Sequence, residues 1–389
     1  MPSLISKAEV QKLQTYLKQR QSETLGLIKS LVETESPSGD VAGSREVVDL
    51  LVRIAEDISC VDSIERLTAS EMGEHLVIRA FQKAASDGQV MLVGHTDTVH
   101  ARGSLSANPW RFEAGRVYGP GIFDMKANCV LALEALRALK QTNVTSASAV
   151  TVVLTCDEEV GSFSGWPLLE RLAHEVEPRC ALVLEPSASG RLKTARKGTA
   201  MFTMTIEGRA AHAGLDPGKG ASAILELARQ IERIQSLNNT GGITVNVGVV
   251  RGGTRSNVVA AEAIAEIDVR FATATESQEV MKVLMQPEPF DERVRVKVTG
   301  GINRPPLERT PAVAALFEQA RDIADALGFE LGEAQVGGAS DGNFLAAMGI
   351  PVLDGLGVDG DGAHAIHEHI IANSIPRRGA LIAGLIAHQ

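Results

Sequence analysis

Hydrophobic residues recur at helical spacing through residues 8–35 and again through residues 43–57, where GSREVVDLLVRIAED carries the pattern. The turn formers of ETESPSGD separate the two stretches. The period then changes, and HLVIRAF and QVMLVGH read as short strands joined by KAASDGQ, an αα-β-β opening. Helical spacing returns from about Met125 to Lys140 in MKANCVLALEALRALK. Next, AVTVVLTCDEEVGSFSG is an apolar run that ends abruptly in Asp157, Glu158 and Glu159, ahead of the helix-like PLLERLAHEV. CALVLEPSASG repeats the device: a short apolar strand ends at Glu185, and Pro186 stops it. Unbroken apolar strands joined by helices predict a sheet buried on both faces, with right-handed crossovers.

From about Lys193 the texture differs. TARKGTAMFTMTIEGRAAHAG alternates like a half-exposed antiparallel strand and GASAILELARQIERIQSL is helical. ITVNVGVVRGG and SNVVAAEAIAEIDVRFATA form a strand pair, SQEVMKVLMQ a helix and RVRVKVTGG a last strand. That β-α-β-β-α-β order is that of a ferredoxin-like split unit. It reads as an insertion, because from Pro311 the chain returns to helices and short apolar strands. The expected division is a catalytic domain in two parts, 1–192 and 304–389, around an inserted α+β domain, 193–303. A length of 389 residues agrees with two domains.

Composition narrows the function classes. With 44% hydrophobic and 22% charged residues the chain is globular, and no uncharged apolar run reaches the roughly 18 residues of a membrane span. A net charge of -10 argues against a nucleic-acid partner, whose phosphates demand a basic face. The first residues, MPSLISKAEVQKLQTYLKQRQ, read as an amphipathic helix without the apolar centre of a signal peptide, so a cytoplasmic location is expected. Cys60, Cys129, Cys156 and Cys180 stand in apolar surroundings without CxxC spacing, which fits buried thiols better than disulfides or a thiolate metal site.

The candidate chemistry gathers where strands end. His95 and Asp97 follow QVMLV, the edge at which open α/β sheets place ligands, and a carboxylate beside a metal-binding imidazole can orient its second nitrogen. Asp124 lies in a Gly/Pro-punctuated loop at a helix start, where a carboxylate is otherwise an ordinary cap. Without Asp97, the donors His95, Asp124, Glu159, Glu185 and one histidine of GDGAHAIHEHI make two histidines and three carboxylates with no thiolate. Such a set suits two zinc ions bridged by one carboxylate. Glu158 is left over, and a carboxylate beside a ligand but off the metal suits a general base.

The motifs GHTDTV, GPGIFDMKAN, TCDEEVGS, LEP, AAHAG and GDGAHAIHE, in this order over nearly the whole chain, resemble those of the zinc aminoacylase/carboxypeptidase G/acetylornithine deacetylase family. The resemblance implies a mixed-sheet, di-zinc aminopeptidase-like catalytic domain with an inserted lid and dimerisation domain. By motif match His95 and Glu185 hold one zinc, Glu159 and His364 the other, and Asp124 bridges them; cobalt or manganese are possible substitutes. His364 rather than His367 or His369 matches the family's histidine. Asp97 becomes the partner of His95, Glu158 the general acid/base, and a cis peptide is implied between Asp124 and Met125. His212 corresponds to a histidine that reaches a neighbouring subunit's site and hydrogen-bonds the oxyanion, so a homodimer through the lid is implied.

Asn257 and Arg270, thirteen residues apart, match substrate-binding residues of carboxypeptidase G-like members. Arg304 resembles a further carboxylate-binding arginine, and Gly337, Gly338 and Ser340 a substrate-contacting Gly-rich loop. The activity implied is hydrolysis of an amide next to a free carboxylate, foremost as a glutamate carboxypeptidase. N-acyl amino acid deacylation, or less readily a non-catalytic binding role on the same scaffold, are the alternatives.

Overall fold

The computed structural model describes residues 5–84, 88–144, 146, 148–239 and 241–388; the predicted turn KAASDGQ falls partly outside them, at residues 85–87. The chain divides into two compact units, one of Met1–Thr194, Arg309–Val336 and Ser340–Gln389, the other of Ala195–Glu308 with Gly337–Ala339.

The first unit is built on a six-stranded mixed sheet in the order Val61–Ala69, Gly73–Ala80, Ala149–Thr155, Gln89–His95, Pro178–Val183 and Val352–Leu353. The last four run parallel, whereas the first two pair antiparallel. Every residue of Ala149–Thr155 is buried, as expected of a central strand covered on both faces. Each wholly buried Val or Leu in these strands contributes about 1.5–3 kcal/mol. Register decides where the chemistry goes. His95 lies opposite Thr155 and Val93 opposite Val183, so the three strands end level and deliver the next residues to one carboxyl edge.

The helical stretch predicted at 8–35 is two helices, Lys7–Gln19 and Gln21–Glu33, which meet at Arg20. The helical period runs across the junction, but Arg20 turns inward, and its Nε donates to the wholly buried carboxylate of Glu134 at 2.8 Å. Glu134 lies on Ala127–Thr142, the helix predicted from about Met125, which is almost entirely buried. The strand Val61–Ala69 has no counterpart in the pattern reading. It pairs on one side only and mixes half-buried with exposed positions, so it lacks the apolar run that marks a central strand. All four cysteines are buried free thiols. Among the described residues no helix is long and apolar enough to cross a membrane.

The second unit is a four-stranded antiparallel sheet in the order Thr244–Gly252, Glu262–Phe271, Gly198–Glu207 and Arg295–Arg304. With the helices Ala223–Gln235 and Ala274–Met285 it follows the β-α-β-β-α-β sequence. Alternation works as period two requires: Phe202, Met204 and Ile206 are buried in the unit's own core, while Met201 points outward at 53% exposure.

Candidate metal centre

Two groups of metal-ligand type side chains share one residue. His95, Asp124 and Glu185 form the first, and Asp124, Glu159 and His364 the second; within each group the ligand atoms lie within 4.8 Å of one another. His95 Nε2 is 3.2 Å from Asp124 Oδ1 and 3.6 Å from Glu185 Oε1. His364 Nε2 is 3.5 Å from Asp124 Oδ2 and 3.2 Å from Glu159 Oε2. The two oxygens of Asp124 therefore face different histidines. All five residues belong to the first unit.

Each donor is placed by local structure. His95 is the last residue of its strand. Asp124 sits in the wide turn Ile122–Lys126 before the buried helix, and its bond to Met125 is cis. Glu159 follows the strand Ala149–Thr155 within the short turn Glu158–Val160. His364 adopts φ 65 just after Gly362 at φ 82, a left-handed conformation uncommon outside glycine that is frequent where function constrains the chain.

Asp97 ties two of these segments together. His95 Nδ1 lies 3.0 Å from the Asp97 carbonyl and 3.4 Å from its carboxylate, which assigns the Nδ1 proton and leaves Nε2 for the cluster. The Asp97 carboxylate also accepts the backbone N–H groups of Glu158 and Glu159, both at 3.2 Å, and the Ser38 hydroxyl at 2.6 Å. In the same acid run Asp157 turns away: it accepts from Ser164 N at 2.7 Å and Gly165 N at 3.1 Å, at the start of the helix Gly165–Val176. Glu158 is half-buried and belongs to neither ligand group.

Negative charge dominates the site. Burial opposes the His95 imidazolium, yet the hydrogen bonds its ring donates to the carboxylates of Asp124 and Asp97 outweigh it and hold the ring well above the usual histidine range. His364 is pushed up to about 10 by Asp124 and then Glu159. Burial favours neutral Asp124, but His364 and His95 hold it far below the usual carboxylate range.

The residues present fit metal ions. Five oxygen and nitrogen donors converge, and Glu159 Oε1 is buried without a hydrogen-bond partner, an arrangement a cation would relieve. Thiolate ligation is not offered. Cys129 Sγ donates to the His95 carbonyl at 3.1 Å, and burial pushes its thiol up to about 12. Lys193, which the motif reading leaves out, places Nζ 4.0 Å from Glu185 Oε2. A lysine beginning an alternating strand carries no signal in sequence that distinguishes it from a solvated charge.

The other candidates are distributed differently. In the second unit, His212 and Asn257 are exposed and lie in neighbouring segments, where His212 bridges Val258 and Ala213 N donates to Asn257 O at 2.9 Å. His212 Nδ1 accepts the N–H groups of Gly214 at 3.2 Å and Leu215 at 3.1 Å, which puts the ring proton on Nε2. Arg270 donates from Nε and Nη2 to the two oxygens of Asp268, at 2.8 and 3.0 Å. Arg270 and Arg304 both lie opposite Thr199, one on either side of it. Gly337 and Gly338 are exposed, and Gly338 O accepts from Arg196.

Ser340 is wholly buried in the first unit, and its hydroxyl donates to Asp354 Oδ2 at 2.7 Å.

Comparison with known proteins agrees with this geometry. The model of peptidase family M20/M25/M40 matches residues 91–388. Carboxypeptidase G2 of Pseudomonas sp. (strain RS-16) is 29% identical over 375 residues, covering 94% of this chain and 89% of that one. The succinyl-diaminopimelate desuccinylase of Thioalkalivibrio sulfidiphilus is 24% identical, covering 94% of this chain and 98% of its own. Among solved structures, aminopeptidase PepT from Bacillus cereus superposes with a TM-score of 0.79 at 22% identity, over 95% of this chain and 98% of that one. With the family model spanning most of its length, the chain belongs to peptidase family M20/M25/M40 and is a hydrolytic enzyme of the metallopeptidase type.

Proposed function

We propose that the chain is a di-zinc carboxypeptidase that cleaves the amide bond next to a free carboxylate, with a C-terminal glutamate as the leaving amino acid. In this reading His95 and Glu185 hold one ion, Glu159 and His364 the other, and Asp124 serves both; cobalt or manganese suit the same donors. Bound there, zinc supplies Lewis-acid polarisation of the scissile carbonyl and lowers the pKa of water toward neutrality.

Glu158 takes the proton of the attacking water and passes it to the leaving nitrogen. His212 donates its Nε2–H to the developing oxyanion, a tautomer supported by the two backbone amides on Nδ1. Asn257 contacts the substrate beside it. His212 and Asn257 come from a second copy of the chain, in a homodimer formed through the second unit, whose role is that of a lid. Four buried free cysteines suit a reducing, cytoplasmic setting.

The observation that carries the substrate assignment is the pair Arg270 and Arg304 on either side of Thr199. Directly opposed residues of antiparallel strands share a face, which sets the two arginines roughly 10 Å apart at the backbone, two strand spacings. Long guanidinium arms from those positions can grip the two carboxylates of one dicarboxylic amino acid. Asp268 holds the plane of Arg270 for that purpose.

The likeness to a succinyl-diaminopimelate desuccinylase favours a second reading, N-acyl amino acid deacylation. A release assay over peptidyl and N-acyl amino acids with added zinc separates the two. The carboxypeptidase reading expects the highest kcat/KM with C-terminal glutamate; a preference for N-succinyl or N-acetyl substrates without one overturns it.

A further inference from the structure

We infer that Glu368 is a positioning residue of the metal centre: its buried carboxylate clamps the loop that carries Asp124 and ties it to the loops of His364 and His95. The inference rests on the two-metal reading above. Glu368 is wholly buried. Its Oε1 accepts the backbone N–H groups of Phe123 at 2.8 Å and of Asp124 itself at 2.9 Å. Its Oε2 accepts Gly121 N–H at 2.7 Å and His100 Nε2 at 2.6 Å.

A carboxylate taken out of water costs several kcal/mol unless its lone pairs are satisfied. Here four donors do so, and none is incidental to the centre. Three are amides of the turn that presents Asp124; the fourth, His100, lies three residues beyond Asp97; and Glu368 itself lies four residues beyond His364. One side chain thereby joins the three loops from which His95, Asp124 and His364 come.

Asp124 is the residue for which such a clamp matters most, because it belongs to both ligand groups and must present one oxygen to each. A small rotation of its backbone would spoil both at once. Asp97 plays a parallel part between His95 and the amides of Glu158 and Glu159. Two buried acids, neither in a ligand group, thus brace the cluster, Asp97 at the segments of His95 and Glu159 and Glu368 at the turn of Asp124. Glutamine is nearly isosteric with Glu368 but cannot replace it: one oxygen becomes an NH2 group and meets the Gly121 N–H and His100 as a donor facing donors.

The test measures zinc binding by the metal-free full-length chain in competition with a chromophoric chelator, beside the rise in unfolding temperature that zinc produces. Wild type is expected to take up two zinc ions. Glu368→Gln is expected to bind zinc about tenfold to a hundredfold more weakly, the usual cost of losing an outer support of a metal site, and to gain a smaller zinc-induced rise. A role in folding alone would instead lower the unfolding temperature of metal-free and zinc-loaded protein together and leave affinity untouched; that result overturns the inference. Should Glu368→Gln not fold, His100→Asn, which alters one of the four bonds, carries the test. Weaker zinc binding by it supports the clamp, and wild-type affinity overturns it. If wild type itself bound no zinc, the two-metal reading would fall and the clamp with it. Unchanged affinity in the variant alone removes only the clamp.

Discussion

The two units present their functional side chains in opposite ways. In the first, the carboxylates and His95 of the metal groups are buried or nearly so, with side-chain exposures from 2% for His95 to 15% for Asp124, and only His364 stands open at 53%. Their backbone is bonded by further buried acids, Asp97 and Glu368. In the second unit His212 and Asn257 are exposed, and what holds them is a local backbone bridge and two amides on an imidazole. The difference is chemical. Like charges brought together repel without an ordered frame, whereas an exposed imidazole and amide need no such frame.

The sharpest way to break this comparison is along the acid run. Glu158→Gln should keep both metals while kcat falls about a hundredfold or more, the scale of a general acid-base contribution. Glu159→Gln should instead lose metal from one group. Metal analysis with steady-state kinetics reads both, and the reverse outcome would shift the assignment along Asp157, Glu158 and Glu159 by one residue.

Next in size is His212→Ala, expected to lower kcat about a hundredfold, as loss of an oxyanion donor does, with metal content unchanged. If His212 acts across a two-fold dimer, mixing the inactive Glu158→Gln and His212→Ala proteins under subunit exchange should recover up to about a quarter of wild-type activity, since half the dimers then hold one intact site. No recovery despite demonstrated exchange would place His212 in its own subunit's site or off the mechanism.

A smaller effect belongs to Arg270→Ala. Loss of a charged, two-pronged contact should reduce kcat/KM for glutamate-terminated substrates about tenfold to a hundredfold, chiefly through KM. Equal losses for substrates without a second carboxylate would remove the dicarboxylate argument. The smallest change in activity is expected for Ser340→Ala: kcat/KM unchanged, while the unfolding free energy falls by about 1–3 kcal/mol because buried Asp354 loses a donor. A raised KM would return Ser340 to the substrate.

What could be read from sequence follows from what each residue type must do locally. Apolar runs that stop at His95, Glu159 and Glu185 announce strand ends, and the level register of three parallel strands then gathers them. Asp124 and His364 are marked by glycines around them, which the turn at Gly121 and the left-handed step at Gly362 and His364 require. Glu368 could not be recognised, since an acid after a histidine looks like loop charge, and its bonds are to amides some 245 residues earlier in the chain. The bond between Ser340 and Asp354 is hidden likewise, since the two lie fourteen residues apart in sequence and meet only in the fold. The edge strand Val61–Ala69 is hidden by its polarity, and the break at Arg20 by a periodicity that continues through it.

The most direct measurement counts metal in purified, active protein. If Asp124 is shared between two ions held wholly within the first unit, wild type should carry close to two metal ions per chain and lose activity when a chelator strips them. Asp124→Asn should lose both ions together, whereas Glu159→Gln should lose one. Active wild-type protein with a metal content near zero, or Asp124→Asn that retains two ions, would contradict the account.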